Sequence, residues 1–134
     1  WASDKHACQR FVVQRAEHWY TEFDRVQRGA EAWRRGDIEE FGKLSFESGR
    51  SSIYNWETGS PELIRLYEIM TKTDGIYGGR FSGAGFKGCC MALIDPAYRD
   101  EIIARVEREY LASFPKLRGK YSAHICHTAN GVRL

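Results

Sequence analysis

The residues best placed to do chemistry are Arg80-Phe81-Ser82-Gly83-Ala84-Gly85-Phe86-Lys87-Gly88-Cys89-Cys90. Gly83, Gly85 and Gly88 fall at the spacing G-x-G-x-x-G. Glycine adopts positive φ readily and lets a ligand or another backbone approach the main chain. A loop this rich in it can aim several N–H groups into one concavity, which is how a nest for phosphate is built. Lys87 is the cation inside that loop, placed either to meet a phosphate or simply to sit in solvent.

The flanks decide what kind of loop this is. Upstream, Gly75-Ile76-Tyr77-Gly78-Gly79-Arg80-Phe81 carries aromatic and β-branched residues and reads as a strand. Downstream, Cys89-Cys90-Met91-Ala92-Leu93-Ile94 is a short apolar run stopped by Asp95-Pro96, which suits a buried strand better than a helix. A dinucleotide fingerprint needs a helix to open directly after the glycines, so a Rossmann reading fails. A protein-kinase phosphate loop does lie between strands, but it requires V-A-I-K and H-R-D segments that this sequence lacks.

Other reactive side chains are accounted for more simply. Cys8, Cys89, Cys90 and Cys126 have no C-x-x-C spacing. Cys89 and Cys90 would point to opposite faces of a strand, and the adjacent thiols read as core filler, with a disulfide or metal site as the alternative. Thiols kept reduced favour a cytoplasmic protein. His124 and His127 would face opposite sides of a strand, and His6 and His18 lie apart on a helix, so no metal site is expected. Asp37, Asp74 and Asp95 are explained by caps and turns, which leaves no carboxylate standing out as a base and no catalytic residue assigned.

Behind the loop stand the elements that must position it. Cys8, Val12, Ala16, Trp19, Phe23, Val26, Ala30 and Trp33 form a near-heptad stripe, predicting an amphipathic helix of roughly 28 residues with this face in the core. Exposure of Trp19 or Trp33 would instead indicate a missing partner domain. Gly36 ends that helix, and Asp37 with Glu40 forms a capping box for a second, which carries Ile38, Phe41 and Leu44 inward and fades at Gly49. Residues 50–60 read as a loop or short helix with packed aromatics. Ser60-Pro61 starts a third helix, with Leu63, Leu66, Tyr67 and Met70 buried. A fourth follows Pro96, with Tyr98, Ile102, Val106 and Tyr110 (or Leu111) inward, and strands are expected at Tyr121–Cys126 and Val132–Leu134. The order α-α-α-β-β-α-β-β predicts an α+β fold, a four-stranded antiparallel sheet covered by helices.

Composition bounds the rest. At 134 residues the chain is expected to be a single domain, 1–134, long enough to bury about 68% of its unfolded surface. Hydrophobic residues at 43% and charged ones at 28% are ordinary for a globular protein. A net charge of +2 argues against a nucleic-acid partner, and no apolar run reaches membrane-spanning length, so no membrane partner is expected. The chain opens at Trp1, without Met and already inside a helical pattern, and reads as a piece of something longer.

The run Arg80-Phe81-Ser82-Gly83-Ala84-Gly85-Phe86-Lys87-Gly88-Cys89 resembles the third motif of the GHMP small-molecule kinases in its galactokinase form, R-M-T/S-G-G-G-F-G-G-C. It departs from that form at Ala84 and Lys87, and its S-G-A-G-F-x-G-C-C variant is more like the galacturonokinase branch. Similar segments fall at His18 to Glu47, Pro61-Glu62-Leu63, Gly75-Ile76-Tyr77-Gly78 and Asn130-Gly131-Val132, about nine tenths of the chain by eye. The resemblance implies a GHMP C-terminal domain of ferredoxin-like, split β-α-β type. It implies a parent sugar kinase using ATP and Mg2+ to phosphorylate a hydroxyl such as C1-OH of galactose or galacturonate. Ser82, Gly83, Ala84, Gly85, Phe86, Lys87 and Gly88 would then support the substrate and phosphate loop. The catalytic residues would lie in an N-terminal GHMP domain joined in cis, leaving this chain alone inactive. The alternatives are a non-catalytic domain of the same fold that binds a small metabolite or another chain, and a homodimer through the face meant for the missing half.

Overall fold

The computed structural model describes residues 2–128 and 130, with side chains from residue 8 onward. Its elements run α1 (Ala2–Arg35), α2 (Ile38–Tyr54), α3 (Pro61–Met70), β1 (Ile76–Phe81), β2 (Cys90–Ile94) and α4 (Arg99–Ser113), with single 3-10 turns at Pro96–Tyr98 and Pro115–Leu117. The helix starts follow local chemistry. Asp37 accepts the Glu40 N–H, Ser60 accepts the Leu63 N–H ahead of Pro61, and Asp95 accepts the Ala97 N–H. Glu40 itself turns away from the expected capping box to pair with Arg28 at 2.8 Å. The second helix does not fade at Gly49: it runs on to Tyr54, taking in the first part of the segment expected to be a loop or short helix.

The sheet is smaller than expected. β1 and β2 pair antiparallel, Phe81 opposite Cys90 and Ile76 opposite Ile94, with an irregularity at Tyr77. Among the described residues this is a two-stranded ribbon, not a four-stranded sheet. The Tyr121–Cys126 segment forms no strand. Tyr121 is held by its ring against Tyr110, 5.5 Å between centroids, and residues 122–128 then run exposed without a ladder partner to satisfy their backbone. The final expected strand, Val132–Leu134, lies outside the described residues. The α+β character stands, with helices supplying most of the cover.

The apolar core sits between α3, α4 and the ribbon. Ile69, Ile102, Val106 and Tyr110 are its buried centre, and Leu66, Ile76, Ile94, Leu111 and Phe114 pack around them. Tyr98, expected inward, stays exposed. β2 is not the doubly buried strand its apolar run suggested, because only one of its faces meets the helices and Met91 points to solvent.

On the other side α2 lies directly against β1, and small residues make this possible. A Cβ on Gly42 would fall 2.3 Å from the Tyr77 carbonyl oxygen, and one on Gly78 would fall 2.0 Å from that of Gly42. Ser48, Gly49, Ser51 and Ser52 continue the narrow buried face of α2. α1 then packs on α2, and here the expectation inverts. The inward face of α1 is Arg15, His18, Glu22, Arg25, Gly29 and Ala32, while Val12, Trp19, Phe23, Val26 and Trp33 face solvent. His18 and Glu22 have specific partners on α2 and β1 and Arg15 on residues 55–57, whereas of the apolar stripe Trp33 packs beside Phe41 and Val12, Trp19, Phe23 and Val26 stand exposed.

These contacts predict opposite outcomes at two helical glycines. A methyl at Gly29 would make ordinary 3.8 Å contacts with the Phe41 ring, so Gly29→Ala should stabilise by up to about 1 kcal/mol through helix propensity. Gly42→Ala gains the same propensity but drives a methyl into backbone, so it should destabilise by about 3 kcal/mol. Urea midpoints of the two variants check both signs.

Candidate functional site

The loop 82–89 closes the ribbon, and its base is pinned by the Ser82 N–H donating to the Cys89 carbonyl at 2.9 Å. Gly83, Gly85 and Gly88 all take positive φ, at 67°, 76° and 109°. Ala84 and Lys87 do not, and no other residue of the loop does. The two departures from the all-glycine pattern therefore fall where the backbone needs no glycine. Around Gly83 and Gly88 a Cβ would meet nothing within 4 Å, so their backbone is open to an approaching group. Ser82, Ala84, Phe86, Lys87 and Gly88 are exposed, and Gly85 is buried.

Gly85 is buried because the loop folds back onto a core side chain. A Cβ there would lie 2.5 Å from the Phe81 ring, and Phe81 is one of the most deeply buried side chains in the protein. The Gly85 carbonyl in turn accepts from the Ser60 N–H at 2.6 Å, so the residue that caps α3 also ties down the loop. Composition marked Ser60 only as a cap; its second bond comes from tertiary proximity that no local pattern carries.

Arg80, at the end of β1 leading into the loop, anchors a polar cluster. Its guanidinium lies 3.2 Å from Glu22 Oε1 and also donates to Ser48 Oγ, and the Ser48 hydroxyl donates to the same Glu22 carboxylate. Arg25 pairs with the second oxygen of Glu22 at 2.9 Å. His18 Nδ1 shares a hydrogen bond with Ser51 Oγ at 2.9 Å, and its ring packs beside Trp56. Arg15 bonds Glu57 at 3.0 Å and the Asn55 carbonyl, fastening residues 55–57 to α1. Sequence reading missed this cluster. Its signal was present in the 3-and-4 spacing of Arg15, His18, Glu22 and Arg25, which matches that of the apolar stripe.

The cluster sets protonation. Burial alone would push the Glu22 carboxyl up, but the Ser48 hydroxyl together with Arg25 and Arg80 outweighs it and holds the group below its ordinary 4.5. Burial lowers His18 below its ordinary 6.5, aided by Arg25 and Arg80 and opposed by Glu22. Burial also pushes the Cys90 thiol up to about 12, leaving it protonated and a poor nucleophile. Against expectation the two adjacent cysteines are not core filler: Cys89 is exposed just before β2, and Cys90 is half-buried with its thiol 3.7 Å from the Leu63 carbonyl. Both are free thiols. His124 and His127 are exposed, and among the described residues no group of three His, Cys, Asp or Glu could hold a metal ion. Nor is any described helix long and apolar enough to cross a membrane.

Residues 30–112 match the family described as GHMP kinases C terminal. The chain belongs to the GHMP kinase family. Among curated proteins it is similar to galacturonokinase of Arabidopsis thaliana, 43% identical over 97% of this chain and 32% of that protein. It is also similar to galactokinase of Bos taurus, 31% identical over 92% of this chain and 30% of the relative. Among solved structures, Lactococcus lactis galactokinase complexed with galactose superposes with a TM-score of 0.74 at 30% identity, covering 78% of this chain and 27% of that one. The chain thus spans less than a third of the length of these relatives.

Two outcomes follow. Because the folded values of Glu22 and His18 both lie below their unfolded ones, both groups stabilise the fold fully at neutral pH. The His18 contribution is lost as pH falls below 6.5 and that of Glu22 as pH falls below 4.5. Glu22→Gln should flatten the acid limb of stability below 4.5 and, by removing the charge that opposes the lowering of His18, deepen the limb below 6.5, measured by thermal melts across pH. In the loop, Gly85→Ala should cost about 2 kcal/mol from left-handed strain and the clash with Phe81. Ala84→Gly should change stability by only a few tenths to about 1 kcal/mol, through unfolded-chain entropy. Denaturant titration separates the two.

Proposed function

We propose that this chain is the C-terminal part of an ATP-dependent sugar kinase, contributing residues Ser82–Gly88 to the wall of its active-site cleft. The observation that carries the reading is the loop itself: three left-handed glycines, two with open backbone, beside the exposed Lys87. Such a backbone suits an anion, because successive N–H groups can converge on phosphate oxygens without a side chain in the way. Lys87 would add a positive charge at the same rim. The 43% identity to galacturonokinase and the likeness to galactokinases favour a sugar acceptor of that kind, galacturonate or galactose, with the anomeric hydroxyl as the attacking group.

In that reaction the sugar oxygen forms a bond to the γ-phosphorus of ATP as the bond to the β–γ bridging oxygen breaks. ADP leaves and the hydroxyl proton passes to a base. Mg2+ would supply neutralisation of the charge on the transferred group. The glycine loop can hold phosphate oxygens. In this reading the base and the residues that hold Mg2+ lie in the rest of the parent protein. What this chain does is rigid positioning: Phe81 sets the height of the loop, Ser60 fixes Gly85, and the Glu22–Arg80 pair holds the strand that launches it.

A coupled ADP-release assay on the complete gene product, against galactose, galacturonate, arabinose and mevalonate, tests the reading. Turnover is expected with a galacto-configured sugar. Residues 1–134 alone should give none. In the complete enzyme Lys87→Met should raise KM for ATP several-fold, the loss of one exposed charge contact of about 1 kcal/mol. Absence of turnover with every acceptor would move the reading to a non-catalytic metabolite-binding domain of the same fold.

A further inference from the structure

Most of the apolar stripe of α1 is uncovered: Trp33 at its end packs beside Phe41 of α2, 5.0 Å between ring centroids, while Val12, Trp19, Phe23 and Val26 stand exposed, and the rotation of the helix is fixed. Val12, Trp19, Phe23, Val26 and Trp33 are 63%, 69%, 64%, 63% and 49% exposed. Together with Val13 and Tyr20 they form an apolar face on the order of several hundred Å2, beyond what scattered surface residues need. Rolling α1 to bury this face would break the Glu22–Arg80 and Arg15–Glu57 pairs and the His18–Ser51 hydrogen bond at once. The helix is therefore amphipathic in two senses, its polar side spent inside this domain and its apolar side presented outward.

The face has the texture of a helix seat. Val12, Ala16, Trp19, Phe23, Val26, Ala30 and Trp33 repeat at heptad spacing, and the alanines leave pits between aromatic knobs. That pattern receives the side chains of a second helix crossing at about 20°. Its flanks carry both signs of charge, Arg10, Glu17, Asp24 and Glu31 among them, so neither a nucleic acid nor an anionic lipid surface is favoured. Residues 12–26 also lie upstream of the segment matched by the family domain, 30–112, while the relatives are about three times this chain's length.

We propose that the α1 stripe from Val12 to Trp33 is the seat of an apolar helix belonging to the portion of the same polypeptide upstream of Trp1. The occupant's identity rests on the sugar-kinase reading, which supplies that upstream portion. Seated there, the helix would share α1 with the glycine loop, since the opposite side of α1 holds Arg80 at the root of the loop.

The test is hydroxyl-radical footprinting of the complete gene product at a concentration where light scattering reports a monomer. It is joined to photo-cross-linking from a phenylalanine analogue placed at Tyr20, which is exposed beside the stripe. Expected are labelling of Trp19 and Phe23 as slow as that of buried Tyr67, unchanged labelling of exposed Met91 and Tyr98, and a cross-link to a peptide upstream of Trp1. Stripe labelling as fast as that of Met91 in the monomer would overturn the proposal. So would protection that disappears as a dimer is diluted, or a cross-link to a second copy or to residues beyond Leu134. A reading frame that adds no upstream polypeptide would overturn it as well. Sugar turnover measured on the same sample is a separate readout: a protected stripe without turnover sinks the kinase reading alone, and turnover with a labelled stripe sinks this one alone.

Discussion

Everything in this domain depends on how closely α2 approaches β1. The Gly42 and Gly78 backbones are near enough that neither position has space for a methyl group. This contact brings a helix axis almost onto the strand and removes the layer of large side chains that usually separates helix from sheet. Ser48 can therefore reach Arg80, and Gly49 can lie against the Tyr67 ring, whose hydroxyl donates to the Phe46 carbonyl. A wider spacing would leave the Arg80 guanidinium without its serine and the carboxylate of Glu22 without its bridge. Buried polar groups are expensive when unpaired, so the small-residue seam and the charge cluster stand or fall together.

The cluster in turn explains why α1 shows its charged side to the domain. Long side chains such as Arg15, His18 and Glu22 span the gap that the narrow face of α2 leaves, with Arg25 bracing Glu22 from the same helix, and their partners select one helix rotation. Each pair is partly solvated and contributes modestly. Acting jointly across α1, α2 and β1 they specify geometry more than they add stability.

Much of this was legible in the sequence. Caps at Asp37, Ser60 and Asp95 and the buried faces of α3 and α4 followed from local chemistry, because a cap or a stripe against a single core is decided within a few residues. The glycine loop was legible as a loop between strands for the same reason. What escaped was decided at long range. The α1 stripe has ideal periodicity for a core face, and periodicity reports that a face is apolar without reporting what covers it. The Tyr121–Cys126 segment has strand-like composition, but a strand exists only where an edge is free to receive it, and here Tyr121 is diverted onto Tyr110. Cys89 and Cys90 looked like core because their run is apolar; a two-stranded ribbon covered on one side leaves the other in water.

The loop shows how its variation is constrained. Its shape is written in three backbone torsions, not in its side chains, since only positions 83, 85 and 88 use conformations that other residues avoid. Substitution at 82, 84, 86 and 87 can proceed without disturbing that shape, because none of the four uses a left-handed torsion. A loop of this kind is an evolvable surface on a fixed frame: charge and bulk can be exchanged at its rim while the frame stays as it is.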